Sequence, residues 1–488
     1  MHYFKSLGIF SILYFFSLIG IFTISAIENK IVLISTVLLY IEFIMVIAFY
    51  YMKSYTIINR LAISLSLSFL MYLIHLLITL PFSLMFISDD MSYAGLQKSA
   101  LTVIRVLITL QLYGVILLFL QRILKRENIK LSKSLLAFFF LLVIASLTPV
   151  EYFQVKFIYL LNSFLPMFFI FFILTHLLLL NKKINIQNEF TTYLNASFYL
   201  VALWAMCGYL YGLVLYFDNW EIFDLGAFYS LKGYEPIEGL PRSWWVPISD
   251  VLYFRFPSTF ENPITAGFFS AFFSMTMISL RRYIWGTLFF IFTLFSVSKG
   301  AILFLLLFII VFISSNISSL LKVLLLKIFN SPILITLLLI AYISLQLVVS
   351  EMFKNSASIH MLGLTLPFTH MNEYTLFELI FGHGIGSGGN FYKGVVGTNL
   401  DFITWLKSGS ESGIGTIFYQ LGSLGLTLVI WISYKIIFLL RTLEARFIYF
   451  FYFVSMFIQE NLINQNLLLL VFFSIIVIEF NKNIKDFQ

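Results

Sequence analysis

The chain has 488 residues, 60% of them hydrophobic and 11% charged, and a mean hydropathy of +0.97. Soluble domains carry about 25% charged residues, so the composition excludes a soluble globular protein and points to a polytopic membrane protein. The net charge of +7 comes largely from cytoplasmic loops between apolar runs and argues for no nucleic-acid partner.

A helix needs about 20 apolar residues to cross a hydrocarbon core. Windows of that kind fall at 7–27, 31–52, 61–87, 99–121, 134–150, 157–180, 191–217, 263–280, 283–298, 300–315, 328–349, 416–440, 446–458 and 462–480. The expected fold class is therefore all-α, with about 14 membrane helices. Of these, 283–298, 300–315 and 446–458 are short, and adjacent short segments can also form re-entrant hairpins. The first window follows Met1-His2-Tyr3-Phe4-Lys5 and reads as a retained signal anchor, since no small-x-small cleavage site follows it. Cys207 is the single cysteine, which leaves no internal disulfide.

With the N-terminus in the cytoplasm, 19 of the 30 lysines and arginines fall on the cytoplasmic side, as the positive-inside bias requires. Both termini are then cytoplasmic. Two connections break the pattern of tight loops: 218–262 and 350–415 are long, polar and outward-facing, and long loops in a compact fold are usually functional. The remainder reads as one membrane domain over residues 1–488.

Ionisable residues inside the expected spans include Glu42, His75, Arg105 and His176. Function is the default suspicion for such groups, although Glu42 and Arg105 can simply pair across two helices. Asp89-Asp90, at an outer span end, reads as a solvated terminus or a divalent-ion seat. The first long loop contains Arg242-Ser243-Trp244-Trp245 and then Arg255, before Phe260-Glu261-Asn262-Pro263. Asn262 fits a helix N-cap, and Pro263 fits the first helical position, where no amide partner is needed. That helix would turn its positive dipole end outward. Arg255 beside it suits a phosphate, or else it snorkels at the membrane surface. Lys299 in Ser298-Lys299-Gly300 is a second candidate phosphate contact, or an interface anchor.

The second long loop holds His360, His370 and His383 with Glu373, Glu378, Asp401 and Lys407. The histidines lack metal-ligand spacing, so no metal and no cofactor is expected. The glycine run around His383, residues 382–389, matches a dinucleotide fingerprint only formally, because no strand precedes it and no helix follows. A backbone that folds over a polar ligand is its expected use. Loop aromatics such as Trp220, Trp244, Trp245 and Trp405 can stack on sugars or form an interfacial belt. The densest chemistry is Lys407-Ser408-Gly409-Ser410-Glu411-Ser412-Gly413, where a carboxylate stands at the mouth of an apolar helix.

Glu411-Ser412, nine residues and then Gly422-Ser423-Leu424-Gly425 resembles the motif of the O-antigen ligase and polysaccharide polymerase superfamily. That motif reads His, Asn/Ser/Gln, nine residues, Gly, two residues, then Gly/Thr/Tyr, and only its first position differs here. Arg255 ahead of Asn262-Pro263 is similar to that family's outer-loop arginine, and Ser298-Lys299-Gly300 resembles its Ser-Arg-Gly. The resemblance covers mainly residues 190–430. It implies a GT-C-like membrane glycosyltransferase of the bacterial cytoplasmic membrane, acting on a lipid-linked oligosaccharide with a chain-length regulator as possible partner. Glu411 in place of the ligase histidine points to an O-antigen or capsule polymerase. On that reading Glu411 is the catalytic base, and Arg255, Lys299 and Arg242 bind the diphosphate. His383, Lys407, Ser412 and Asn262 line the substrate loops. Lysine at 299 keeps the charge and loses the bidentate fork of arginine. The alternatives are a lipid-linked oligosaccharide flippase, which would need charge at mid-depth, and the ligase itself.

Overall fold

A computed structural model describes residues 57–67, 70, 113–114, 116–183, 188–217, 236–237, 240–241, 244–248, 251–258, 260, 262–353, 356–390, 392, 401–457, 459–463 and 465–485. The pairing expected of Glu42 with Arg105, the residues His75, Asp89 and Asp90, and the side chains of Trp220 and Arg242 lie outside the described residues.

The described chain is mostly helical, as its apolar runs require. In order come α1 (Lys133–Leu147), α2 (Phe153–Lys182, with a π-helical turn at Leu160–Phe164) and α3 (Asn188–Phe217). Two short hairpins follow, β1 (Pro236–Ile237) with β2 (Leu240–Pro241) and β3 (Trp245–Ile248) with β4 (Val251–Phe254), antiparallel with Trp245 opposite Phe254. Next are α4 (Pro263–Ser279), α5 (Tyr283–Phe295), α6 (Lys299–Ile317), α7 (Ser319–Phe329), α8 (Pro332–Phe353) and α9 (Ser356–Thr369). The short α10 (Leu376–Phe381) and α11 (Phe402–Lys407) lead into α12 (Gly413–Leu439), α13 (Leu443–Ser455) and α14 (Gln465–Lys485).

Each expected span from 134–150 onward overlies one of these helices. Among the described residues, four are long and apolar enough to cross a membrane: Phe153–Lys182, Thr191–Val214, Lys299–Ile317 and Gly413–Leu439. A fifth is possible by the same measure if α7 and the first part of α8, bent by 90°, count as one broken span. The bend has a local cause. Pro332 opens α8, where its missing amide is harmless, and Ser318 caps α7 by accepting from the Leu321 amide. Lys322 and Lys327, expected in a loop, therefore stand on a helix. The stretch 350–415 is likewise richer in helix than its polarity suggests. It holds the end of α8 together with α9, α10 and α11.

Chain contacts divide the molecule into two compact units, the first containing 185–306 and the second 124–184 with 307–482. In the first unit α4 and α5 form an antiparallel pair. Tyr209 of α3 donates to the Ala266 carbonyl at 2.9 Å and stacks on Phe292 at 4.1 Å. In the second unit α12 is the central rod, packed by α1, α2, α9 and α10. One end of this bundle is tied by Glu479, which accepts the amides of Arg441 and Thr442 at 3.0 and 2.7 Å. Arg446 there reaches the Asn330 side chain at the C-terminus of α7, at 2.7 Å, where a cation meets the negative end of the helix dipole. His176 is buried in α2, with its Nδ1 donating to the Phe172 carbonyl at 2.7 Å.

Candidate functional site

In the first unit, Asn262 caps α4 as its sequence suggests: its side chain accepts from the Ile264 amide at 2.8 Å, and Pro263 follows. The Arg255 amide donates to Trp244 O, and the Phe256 amide donates to Phe295 O at 2.9 Å. These bonds dock the β4 exit on the end of α5. The Arg255 Nε then donates to the Ser296 carbonyl at 3.2 Å. Burial pushes its guanidinium down to about 10. Ser296 opens the turn that carries Ser298 and Lys299, so Arg255 and the start of α6 come together. Gly267 of α4 faces the same turn, and a Cβ there would meet Ser296 Oγ at 2.4 Å. Two helix N-termini, one arginine and the exposed Lys299 thus share one corner of this unit, an arrangement that favours anions.

In the second unit Ser412 caps α12, accepting from the Gly415 amide at 3.0 Å, while its own hydroxyl donates to Phe457 O at 2.8 Å. The turn before it, Ser408–Glu411, is pressed against α9. Gly363 makes this possible, because a Cβ there would lie 1.8 Å from the Ser410 carbonyl. One turn earlier on α9, His360 meets Glu411. Its Nδ1 lies 3.2 Å from both the Glu411 carbonyl and Oε2, and so carries the proton. Its Nε2 faces Gln459 Nε2 at 3.5 Å, as an acceptor. Glu411 holds a φ of +70°, a region that costs a non-glycine residue about 1 to 3 kcal/mol.

Behind this pair lies Glu460, buried between α13 and α14. Its carboxylate accepts the Glu411 amide at 3.2 Å, the Asn390 amide at 3.1 Å and the Tyr159 hydroxyl. Burial raises its pKa to about 7. The segments meeting here are the first turns of α2, the 350–415 stretch and the link before α14.

The glycine run 382–389 is not a free flap. Gln420 of α12 clasps it, accepting from the Gly386 amide and donating to the Gly388 carbonyl, each at 2.9 Å. The Gly389 amide donates to Ser408 Oγ at 3.0 Å. At Gly422 the helix breaks with φ +67°, and the Ile380 carbonyl fills the place of a Cβ, 2.3 Å away. Only glycine fits there. His383 stacks on Tyr419 at 4.2 Å, with Tyr374 edge-on, and its Nε2 lies 3.9 Å from Glu378. Burial lowers the His383 pKa. The Thr375 amide and hydroxyl hold that of Glu378 down in a capping box. Lys407 is engaged with Glu373 at 3.7 Å.

An apolar cavity of about 340 Å³ opens beside the Glu411 turn, lined by Ile343, Leu364, Phe368, Ile414, Leu426, Ile430 and Phe457 among others. Among the described residues no group of three His, Cys, Asp or Glu side chains could hold a metal.

Sequence reasoning placed Glu411, Ser412 and the 382–389 run in one region, but gave no role to His360, Gln420 or Glu460. Glu460 had a usable signal: a lone carboxylate in the polar break Gln459-Glu460-Asn461 between two apolar runs. Comparison with protein-family models, characterised proteins and solved structures finds no match to this chain.

Proposed function

We propose that the chain is a membrane glycosyltransferase that polymerises lipid-diphosphate-linked oligosaccharide repeat units, of undecaprenyl type. It makes O-antigen, capsular or exopolysaccharide on the outer face of the bacterial cytoplasmic membrane. The observation that carries this reading is the Glu411–His360 pair at the head of a long apolar helix, with Glu411 in left-handed backbone. A carboxylate paired with an imidazole and held on left-handed backbone suits proton abstraction from a sugar hydroxyl. Glu411 takes that proton as the hydroxyl oxygen attacks the anomeric carbon. The bond from that carbon to the diphosphate breaks, the configuration inverts, and the lipid diphosphate leaves with the electron pair.

Arg255, Lys299 and Arg242 would neutralise the departing diphosphate. The two helix N-termini beside Arg255 and Lys299 support that role. The apolar cavity suits a polyprenyl tail. A flippase would instead need charge at mid-depth; His176 in α2 donates its Nδ1 to its own helix's Phe172 carbonyl. The full architecture in this reading is GT-C-like, with about fourteen membrane helices, and a chain-length regulator is a possible partner.

General-base catalysis is worth about 10²- to 10⁴-fold. Glu411→Gln should therefore accumulate normally in membranes while long chains vanish from a glycan ladder gel. Normal chain length in that variant overturns the proposal. Arg255→Ala should also lose polymer, and Arg255→Lys should recover only part of it, because the fork geometry is lost.

A further inference from the structure

Glu460 is buried, yet its three hydrogen-bond partners among the described residues are neutral donors: the Tyr159 hydroxyl and the amides of Asn390 and Glu411. Those donors come from three separate segments. One is the residue whose carboxylate meets His360, and another ends the glycine-rich run. An amide can stand in for the carboxylate in this network. One oxygen of a glutamine can keep the Asn390 and Glu411 amides on the Oε2 side, and its NH2 can donate to the Tyr159 oxygen.

We infer that Glu460 is the positioning residue of this site: by accepting the Glu411 and Asn390 amides it fixes the Glu411 carboxylate against His360 and closes the glycine-rich run on the same point. The inference rests on the functional reading above for its catalytic consequence, and on geometry alone for the positioning. It explains why Glu411 holds its left-handed backbone, since the amide that Glu460 accepts belongs to that residue. Among the described residues, Tyr159, Glu411 and His360 are the titratable groups that meet Glu460 or its partners at this junction.

Two measurements on the purified full-length protein test it. The first is the rate of His360 modification by diethyl pyrocarbonate, read by peptide mass spectrometry. Glu460→Ala frees Glu411 from its anchor and should raise the His360 rate several-fold, whereas Glu460→Gln should leave it near the parent value. The second is elongation of a lipid-linked repeat per folded molecule across a pH series. Glu460→Ala should lose roughly 10²-fold, the scale of a misplaced catalytic group. Glu460→Gln should keep most activity but show an altered pH profile. Should Glu460→Ala fail to give monodisperse protein, Glu460→Asp, which withdraws the carboxylate by one methylene, replaces it with the same expectations.

Unchanged His360 reactivity in the variant that folds overturns the inference, as does unchanged elongation per folded molecule. If His360 reactivity rises while the parent protein elongates no lipid-linked repeat, the polymerase reading falls and the positioning role stands.

Discussion

Gln420→Ala tests whether the glycine-rich run is clasped by α12. The parent side chain is fully buried and joins two backbone groups of the run, the Gly386 amide and the Gly388 carbonyl, at 2.9 Å each. Removing it leaves one donor and one acceptor unpaired in the interior. Each such group costs about 1 to 3 kcal/mol, so the expected loss is about 2 to 6 kcal/mol. A water that enters the vacated space would pull the figure to the lower end, because it can satisfy both groups. Gln420→Glu should be no better, since it places a second acceptor against the Gly388 carbonyl. The assay is unfolding of the detergent-solubilised protein, followed by tryptophan fluorescence. Hydrogen exchange of the peptide spanning 382–392 accompanies it. Both variants should unfold earlier and exchange faster over that peptide alone. A change below about 0.5 kcal/mol, the scale of an uninvolved surface position, with exchange unaltered would refute the clasp.

Further outcomes follow from the same geometry. Glu460 has a folded-state pKa of about 7 against an ordinary 4.5, set by burial. The folded state therefore prefers the proton, and stability should fall between about pH 4.5 and 7 by about 3 kcal/mol, then level off. Glu460→Gln should flatten that limb of a pH–stability curve, and an unaltered limb would show that another group is responsible. Asn262→Ala should lower stability by about 1 kcal/mol through loss of the α4 cap, measurable as a shift in unfolding midpoint. Asn262→Asp or Asn262→Ser should restore most of it. Gly422→Ala should destabilise more than a helix-favouring substitution normally could, because a Cβ meets the Ile380 carbonyl. Full stability in that variant would mean the break is not required.

Much of the helical layout was legible because its signals are local. Asn262-Pro263 announced a cap and a first turn, and both are seen. Ser412, at the expected helix mouth, caps α12. Other local signals were present and were outweighed by polarity. Thr375-x-x-Glu378 spells a capping box inside a stretch read as a loop. Ser318 ahead of a leucine-rich run begins a helix in a connection read as a cytoplasmic turn. The role expected of the glycine run was the wrong kind of inference from the right residues. Glycine marks both a mobile loop and a crowded backbone, and only the neighbours tell them apart.

By itself the sequence determined that the chain is apolar enough to span a membrane, that its described part is mostly helical, and to within a few residues where the long apolar helices from residue 133 onward lie. Those properties depend on the solvation and backbone preferences of one segment at a time. Tertiary structure alone decided that Glu460 accepts the amide of Glu411, 49 residues away. It decided too that His360 faces that residue's carboxylate, and that Gln420 holds a run over thirty residues upstream. A polar group's partner is set by how the helices pack and by which connections that packing gathers at one end of the bundle, and no single segment carries that information.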